Sequence, residues 1–249
     1  MHTDSPSLMH LGQGDPLPPP SAAWRSDSPA PGLLALGGGL SVNRLLEAYG
    51  QATFPWYSDG QPVMWWSTDP RMTLHVNDFR LSTSLKKDIQ SLLRKDRLEI
   101  RIDHDFPNII AHCAKAPRAG QAGTWIVKDM IHAYERLHMA GHAHSVETWL
   151  DGQLVGGLYC VSIGKAVFGE SMFALQSNAS KMALAALVSL CRAQAVSLID
   201  CQQNTPHLAS LGAKEMPRDA FVAHVHSAKQ QTPLQWKFEH LYWQELSLG

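Results

Sequence analysis

The sequence predicts an α+β fold with one central β-sheet. Three strand candidates follow one another at residues 144–150, 154–163 and 166–170, and a turn signal separates the last two. A strongly helical segment then covers residues 179–194, and an apolar strand follows at residues 196–202. This order of adjacent strands, a helix and a further strand is typical of an α+β domain.

The earlier elements follow from capping, turn and periodicity signals. Ser41 is a plausible N-cap for a short helix that ends at Tyr49, and apolar residues at helical spacing predict a second helix over residues 82–95. Asp59-Gly60 indicates a hairpin, and Gly141 ends a long helix that begins near Ile126. Shorter strand candidates are residues 63–66, 72–76 and 98–102.

The composition indicates a globular protein without a strong overall charge. Apolar residues make up 45% of the 249 residues, and 21 basic side chains stand against 22 acidic ones. Because no global field attracts nucleic acid, an RNA partner would need a local basic patch. The four cysteines form no C-x-x-C pair, which favours reduced and mostly buried thiols.

The chain divides by composition into a tail and two expected domains. Residues 1–31 hold seven of the fifteen prolines, which predicts a disordered tail. We expect a small N-terminal domain at residues 32–77 and a larger domain at residues 78–249. No apolar run approaches the roughly 18 residues of a membrane helix. The N-terminus also lacks a secretory signal pattern, so we expect a cytoplasmic protein without membrane association.

Two familiar catalytic patterns are only partly present. His138, His142 and His144 resemble a metal cluster, but Met139 stands where H-E-x-x-H has its Glu, so we predict no metal site. Residues 169–173 begin like the G-x-S-x-G elbow of serine hydrolases but end in Phe, which disfavours a serine nucleophile.

Four large aromatic residues surround the predicted Asp59-Gly60 turn. Such a cluster can fill a small core, or it can offer stacking surfaces to an unpaired base, and the sequence leaves both interpretations open. The residues are Phe54, Trp56, Trp65 and Trp66.

The chain has one local concentration of basic residues. Seven lie from Arg80 to Arg101, with three acids among them and Asp78 just before them, so the run is either a solvated helix face or a phosphate-contacting patch. The candidate patch comprises Arg80, Lys86, Lys87 and Arg94.

Three polar residues at predicted strand ends form the candidate chemical site. Asp200 and Gln202 are two apart at the end of an apolar strand and should point to one side of the sheet. Glu170 ends another strand on the face of Phe168. A buried acid is costly unless it is paired, so the trio is either a functional site or a polar cap of the sheet.

Several unusual strings in the chain, together with these residues, resemble the leucyl/phenylalanyl-tRNA–protein transferases. The resemblance runs from about residue 32 to about residue 218. The matching strings are LLALGGGL at 33–40, FPWY at 54–57, WWSTDPR at 65–71, GTWI at 123–126, AHSVE at 143–147, GESMF at 169–173, NASK at 178–181, LIDCQ at 198–202 and SLGA at 210–213.

The resemblance implies a fold and an activity. The larger domain should resemble the GNAT acetyltransferases, with a central mixed sheet and flanking helices. The enzyme should move Leu, Phe or Met from aminoacyl-tRNA to the α-amine of proteins that begin with Arg or Lys, as a signal for N-end rule degradation. We expect a monomer.

The resemblance also implies residue roles. Asp200 and Gln202 match the family's catalytic acid and amide, and Glu170 matches its other site carboxylate. Trp56 matches the tryptophan that supports the terminal adenosine of tRNA, and Tyr49 matches a residue near it. The implied pocket for the aminoacyl side chain falls on Leu158, Phe168 and Leu187.

The chain departs from the family pattern at a few positions. Gly39 stands where Asp is common, and Ala52-Thr53 replace a usual Gly-Ile. Cys160 replaces a Gly and Ala174 replaces a Ser. The last two lie near the implied pocket, so they bear on side-chain selectivity rather than on the reaction type.

The implied reaction requires mainly positioning and one proton acceptor. The aminoacyl ester is already activated, so we expect no ATP, metal or other cofactor. We expect Asp200 to polarise Gln202, whose carbonyl oxygen orients the amine and helps to take its proton, while Glu170 attracts the cationic acceptor. An alternative in which these groups only orient the substrates, with a tRNA hydroxyl relaying the proton, remains open.

Two rival functions lack support in the sequence. An acyl-CoA N-acetyltransferase would need the pyrophosphate loop [QR]-x-x-G-x-[GA], and the nearest segment, residues 153–158, ends in Leu. A non-catalytic tRNA-binding module would leave the carboxylate–amide pair at residues 200–202 unexplained.

Overall fold

The computed structural model describes residues 8–116 and 126–248. Residues 123–125, which belong to the GTWI string, lie outside the described residues. The elements form two sheets of unequal size with helices packed around them. This arrangement confirms the predicted α+β class, with a small N-terminal unit followed by a larger mixed sheet and flanking helices.

The N-terminal unit is a four-stranded sheet with one helix. Ser41 caps the helix as predicted, because its hydroxyl accepts a hydrogen bond from the Arg44 amide. The strand order is β1-β2-β4-β3. The elements are β1 (Met9–Leu11), β2 (Leu33–Gly37), α1 (Val42–Tyr49), β3 (Phe54–Pro55) and β4 (Met64–Trp66).

The prediction of a disordered tail is wrong for residues 8–31. β1 pairs in parallel with β2, and the Leu17 side chain is buried beside α1. The Leu17 amide donates to Glu47 Oε1 at 2.8 Å, and the Arg44 guanidinium donates to the Asp15 carbonyl. Proline-rich composition indicates few internal hydrogen bonds, but these partners belong to other segments of the chain.

The larger sheet has seven strands in the order β11-β5-β10-β9-β8-β7-β6. Its ladders are antiparallel except for the parallel pair of β9 and β10. The strands are β5 (Arg71–His75), β6 (Leu98–Ile102), β7 (Ala143–Leu150), β8 (Gln153–Ile163), β9 (Ala166–Ala174), β10 (Leu198–Gln202) and β11 (Lys214–Met216). Because β5 belongs to this sheet, the junction between the two sheets falls at residues 67–70 and not at residue 77.

Helices cover both faces of the larger sheet. We call the sheet face that carries Tyr159 and Phe168 the α4 face. We call the opposite face, which carries Leu158 and packs against Leu187 of the helix at residues 179–193, the α5 face. The residues of the two faces belong to separate core clusters. The N-terminal unit, α3, α4 and α7 pack on the α4 face, and α2 and α5 pack on the α5 face. The helices are α2 (Thr83–Arg94), α3 (Phe106–Lys115), α4 (Lys128–Met139), α5 (Ala179–Ala193), α6 (Pro206–Ser210) and α7 (Arg218–Ala228).

The four cysteines lie mostly inside the fold. Three of the four cysteines are buried and Cys201 is half-buried, which confirms the predicted mostly buried thiols. Within residues 8–116 and 126–248, no helix combines the length and the apolar character that crossing a bilayer requires.

The packing of the N-terminal segment generates a stability prediction. Leu17→Ala should lower the free energy of unfolding by about 2–5 kcal/mol, because it removes a buried side chain and leaves a cavity. Leu241→Ala is the matched control, since Leu241 is 61% exposed, and it should change stability by no more than about 0.5 kcal/mol. Guanidinium unfolding measures both. Equal midpoints for the two variants would show that the packing of residues 8–31 does not stabilise the fold.

Candidate active site

The candidate site lies where β9 and β10 stop pairing. These parallel strands pair only at Ile199 with Val167 and at Asp200 with Phe168. Glu170 and Gln202 follow directly beyond that short ladder. The sheet therefore opens at this point and presents polar groups from two neighbouring strands.

Glu170 is the extra residue of a β-bulge. On β8, Cys160 pairs with Gly169 and Tyr159 pairs with Ser171, so Glu170 has no residue opposite it in this ladder. A bulge re-aims a side chain relative to the regular alternation. Here the Glu170 carboxylate reaches the α4 face, where Tyr49 and Tyr134 lie.

Neutral donors surround the Glu170 carboxylate. The Tyr49 hydroxyl donates to Glu170 Oε1 at 2.7 Å, and the Tyr134 hydroxyl donates to Oε2 at 3.2 Å. The Gln202 side-chain amide donates to Oε1 at 3.2 Å. The two tyrosine hydroxyls are also 2.5 Å apart. Three elements, α1, α4 and β10, thus converge on one carboxyl group.

Burial changes the acidity of this cluster. The pKa of Glu170 is raised to about 8, mainly by desolvation, and the nearby charge of Asp200 contributes to this rise. The tyrosine hydrogen bonds and the charge of Arg71 lower the pKa of Glu170 and so oppose that shift. Burial also raises the pKa of both Tyr49 and Tyr134, so their hydroxyls stay protonated donors.

Asp200 is fully buried in an ion pair with Arg71. Arg71 Nε donates to Asp200 Oδ1 at 2.7 Å and Arg71 Nη2 donates to Oδ2 at 2.6 Å. The side chains are 1% and 0% exposed. Such fork-to-fork pairing fixes both the position and the plane of the carboxylate.

Gln202 is held in an unusual backbone conformation. Its φ is +55°, in the left-handed region that few non-glycine residues adopt. Its amide donates to Asp200 Oδ1 at 2.9 Å, and its carbonyl accepts a hydrogen bond from the Thr68 hydroxyl at 3.2 Å. The surrounding structure therefore determines where the Gln202 side chain points.

The structure brings the predicted trio together but connects it differently from the expected relay. β10 carries a second bulge, because Asp200 pairs with Thr73 and Gln202 with Met72, with Cys201 between them. Asp200 contacts the main-chain amide of Gln202, while the Gln202 side chain contacts Glu170. The expected contact between the Asp200 and Gln202 side chains requires regular two-residue alternation along β10. The bulge breaks this alternation.

The aromatic cluster divides into a core part and a partly exposed part. Trp65 is fully buried and its indole donates to the Gly37 carbonyl at 2.8 Å. Trp56 and Trp66 are half-buried and meet edge to face at 5.4 Å, and the Trp66 indole donates to the Trp56 carbonyl. Only this second pair has surface left for a ligand.

The three residues of the predicted aminoacyl pocket lie on both faces of the larger sheet. Phe168 lies on the α4 face, where its ring centroid is 5.0 Å from that of Tyr49. Leu158 and Leu187 are buried on the α5 face. The structure does not support a single three-residue pocket, because Phe168 pairs with Val161, which lies three positions from Leu158 on β8 and therefore faces the other side of the sheet.

The candidate phosphate patch lies on and beside α2. Lys86, Lys87 and Arg94 are on this helix, which packs on the α5 face, and Arg80 precedes it; all except the half-buried Lys86 are exposed. Among the described residues, none of these four side chains forms an ion pair. Two other members of the basic run, Arg97 and Arg101, pair with Asp151 and Glu99 respectively.

The predicted structural histidines have structural contacts. His144 Nδ1 is 2.7 Å from Asp103 Oδ2, and its ring stacks on Trp236. His138 stacks on Phe106. No group of three or more His, Cys, Asp or Glu side chains in the described parts of the chain is arranged to hold a metal ion.

Sequence reasoning missed two residues at the centre of the site. Tyr134 falls within the helix predicted to end at Gly141, and no sequence pattern marks its hydroxyl as a contact of Glu170. Arg71 was only the last letter of a matching string. A signal existed for Arg71, since a buried acid such as Asp200 requires a cationic partner and Arg71 begins an apolar strand.

The raised pKa of Glu170 generates a prediction about pH and stability. Between about pH 4.5 and about pH 8, the folded chain keeps a Glu170 proton that the unfolded chain has lost. The contribution of the protonated Glu170 to the free energy of unfolding is therefore fully present below about pH 4.5. It is lost as the pH rises toward about 8. Relative to wild type, Glu170→Gln should gain stability as the pH rises, by at most about 1.4 kcal/mol per pH unit.

Chemical denaturation at several pH values measures this difference. Glu99→Gln is the control, because the hydrogen bond from Arg101 lowers the pKa of Glu99 and places its titration below the window. If the difference in unfolding free energy between wild type and Glu170→Gln stays constant across this pH range, the raised pKa of Glu170 is contradicted.

Comparisons with known proteins identify the family to which the chain belongs. A family model described as leucyl/phenylalanyl-tRNA protein transferase matches residues 73–226, and a model of the N-terminal domain of the same family matches residues 38–69. Leucyl/phenylalanyl-tRNA–protein transferases of Polaromonas sp. strain JS666 and Paraburkholderia phytofirmans are each 55% identical to the chain. The matches cover 95% and 92% of this chain and 92% and 94% of the two relatives.

Solved structures give weaker similarities. The aminoglycoside N-acetyltransferase AAC(6')-Iy is 14% identical over 57% of this chain and 93% of its own, with a TM-score of 0.31. A GCN5-related N-acetyltransferase from Kribbella flavida is 10% identical over 67% of this chain and 58% of its own, with a TM-score of 0.33. Nothing about activity follows from scores this low. The family models and the curated relatives, in contrast, cover most of the sequence, and the chain therefore belongs to the leucyl/phenylalanyl-tRNA–protein transferase family.

Proposed function

We propose that the chain transfers Leu, Phe or Met from aminoacyl-tRNA to the α-amine of proteins whose first residue is Arg or Lys. The modified proteins would then be marked for N-end rule degradation in the cytoplasm. The observation that carries the proposal is the Glu170 carboxyl group, half-buried among neutral donors and adjacent to the Gln202 amide.

The acidity of Glu170 suits this reaction. An α-amine has a reference pKa of roughly 7.7–8.0, and the pKa of Glu170 is about 8. Because the two values are close, a proton can move from the ammonium to the carboxylate at little cost in free energy. The ammonium also favours the ionised carboxylate, so binding of the acceptor activates the group that takes its proton.

The transfer then proceeds by attack on an ester that is already activated. The neutral amine attacks the carbonyl carbon of the aminoacyl ester, a C–N bond forms, and the C–O bond to the terminal ribose breaks. Glu170, protonated by the ammonium, gives that proton to the departing ribose oxygen and takes the second proton that the nitrogen loses as the amide forms, so no external acid is needed. Gln202 orients the amine through its side-chain carbonyl while its NH₂ group stays on Glu170.

The role that we assign to Asp200 differs from an acid–base role. Both of its oxygens accept hydrogen bonds from Arg71, and one also accepts the Gln202 amide. We therefore assign Asp200 to holding Gln202 rather than to polarising its side chain. Trp56, half-buried beside Trp66, is the group that we assign to stacking against the terminal adenosine.

The chemistry is tested by transfer from labelled Leu-tRNA to peptides. Peptides beginning with Arg or Lys should be labelled, and a peptide beginning with Ala or an N-acetylated Arg should not. Gln202→Ala should lower kcat by roughly 10²-fold or more, the scale of losing a group positioned for proton transfer. Gln153→Ala, at an exposed hairpin turn, is the control and should transfer like wild type.

Two results would overturn parts of the proposal. Equal labelling of Arg and Ala peptides would remove the acceptor preference. Wild-type kcat in both Gln202→Ala and Glu170→Gln would remove these groups from the proton path and leave relay by a tRNA hydroxyl as the explanation.

The α2 patch leads to a separate prediction about tRNA binding. Affinity should fall linearly with the logarithm of salt concentration, because phosphate contacts release counterions. Replacing both Lys86 and Lys87 by Ala should flatten that slope by up to about one unit per lost contact. Lys237→Ala is the control, since Lys237 is 79% exposed and lies outside the patch. An unchanged slope in the double variant would place the tRNA on another surface.

A further inference from the structure

Arg71 stands at the junction of the two sheets and within two contacts of the proposed reaction centre. It is the first residue of β5 and follows the segment 67–70 that leaves the N-terminal sheet. We propose that Arg71 is a positioning residue for the transfer reaction: it fixes Asp200 and, through Asp200, the backbone of Gln202. This inference rests on the proposed function, and its test separates the two.

The path from Arg71 to the proposed proton acceptor is a continuous chain of short contacts. Two guanidinium nitrogens hold the Asp200 carboxylate at 2.7 and 2.6 Å. The same carboxylate accepts the Gln202 amide at 2.9 Å, and the Gln202 side chain donates to Glu170 at 3.2 Å. A shift of the guanidinium is therefore transmitted to the Gln202 side chain through two hydrogen-bonded steps.

The guanidinium itself is fixed on all sides. It lies over the Phe54 ring at 4.6 Å and the Phe221 ring at 4.7 Å, measured to the ring centroids. Its remaining Nη1 donates to the Ala52 carbonyl at 3.3 Å. Residues of the N-terminal unit and of α7 thus determine the orientation in which Arg71 presents its fork to Asp200.

Gln202 is the residue that needs such support. Its positive φ is costly for a residue with a side chain and persists only when neighbouring contacts determine it. Those contacts come from one short segment, since Thr68 holds the Gln202 carbonyl and Arg71 holds the carboxylate that binds the Gln202 amide. The junction between the sheets is therefore also the support of the proposed catalytic amide.

Arg71 also acts on Glu170 through charge. Five groups surround the Glu170 carboxylate: Tyr49, Tyr134, Gln202, Asp200 and Arg71. The charge of Asp200 raises the pKa of Glu170, and the charge of Arg71 lowers it. The charge of Arg71 therefore opposes the charge of Asp200 at the proposed proton acceptor.

The experiment is a kinetic cycle on the full chain, with labelled Leu-tRNA and a peptide that begins with Arg. Arg71→Lys keeps the charge but loses the bidentate fork, so it should lower kcat by roughly 10- to 10²-fold with KM for the tRNA within about twofold of wild type. In the Gln202→Ala background the same substitution should lower kcat by less than about twofold, because the group that it positions is already gone.

Asp151→Asn is the matched control. It breaks an exposed bidentate Arg–Asp pair, with side chains 48% and 53% exposed, and should leave kcat unchanged. If Arg71→Lys does not fold, as judged by its melting curve, Asp200→Asn replaces it in the same cycle, because it removes the other partner of the pair.

Each outcome bears on one claim. Wild-type kcat in Arg71→Lys, or an equal fractional loss with and without the Gln202 side chain, would overturn the positioning role. A loss confined to the background that contains Gln202 would support it. Failure of the wild-type chain to transfer Leu at all would instead overturn the proposed function.

Discussion

The buried ion pair between Arg71 and Asp200 is the interaction on which the rest of the structure depends. Bringing two charges out of water costs several kcal/mol for each ion, and only excellent geometry offsets that cost. Here the geometry includes a bidentate contact, a carbonyl acceptor and two aromatic rings around the guanidinium. Removing one partner would leave a buried charge uncompensated. The contacts of Arg71 also connect β5 to the N-terminal unit, to β10 and to α7.

Two β-bulges determine what this arrangement can present. A regular sheet would continue the pairing of β9 with β10 and would place its side chains alternately on opposite faces. The extra residues, Glu170 on β9 and Cys201 on β10, interrupt both ladders at the same end of the short parallel pair. As a result, the carboxylate of one strand and the amide of the other meet in an opening of the sheet, next to the hydroxyls of α1 and α4.

The sequence predicted local features well and long-range features poorly. The cap at Ser41 and the helical periodicity of α2 and α5 are encoded by residues close together in the chain, and the structure has these elements. Helix α3 is not among the predicted elements, although an N-cap Asp105 and a proline in the first turn are typical of a helix start. The ordered N-terminal segment and the faces of Leu158 and Phe168 depend on partners far away in sequence, and the bulges shift a side chain without any distinct local pattern.

The polar trio illustrates the same limit at the site. An acid at the end of an apolar strand indicated chemistry or a paired charge, and in the structure the two acids have different partners. Asp200 has a cation, Arg71, as a permanent partner, whereas hydroxyl and amide groups are the direct partners of Glu170. Desolvation without a contacting cation is what raises the pKa of Glu170 to about 8. Of the two carboxyl groups, Glu170 therefore gains most when a cationic amine arrives, because that amine supplies the charge that the protein gives only to Asp200.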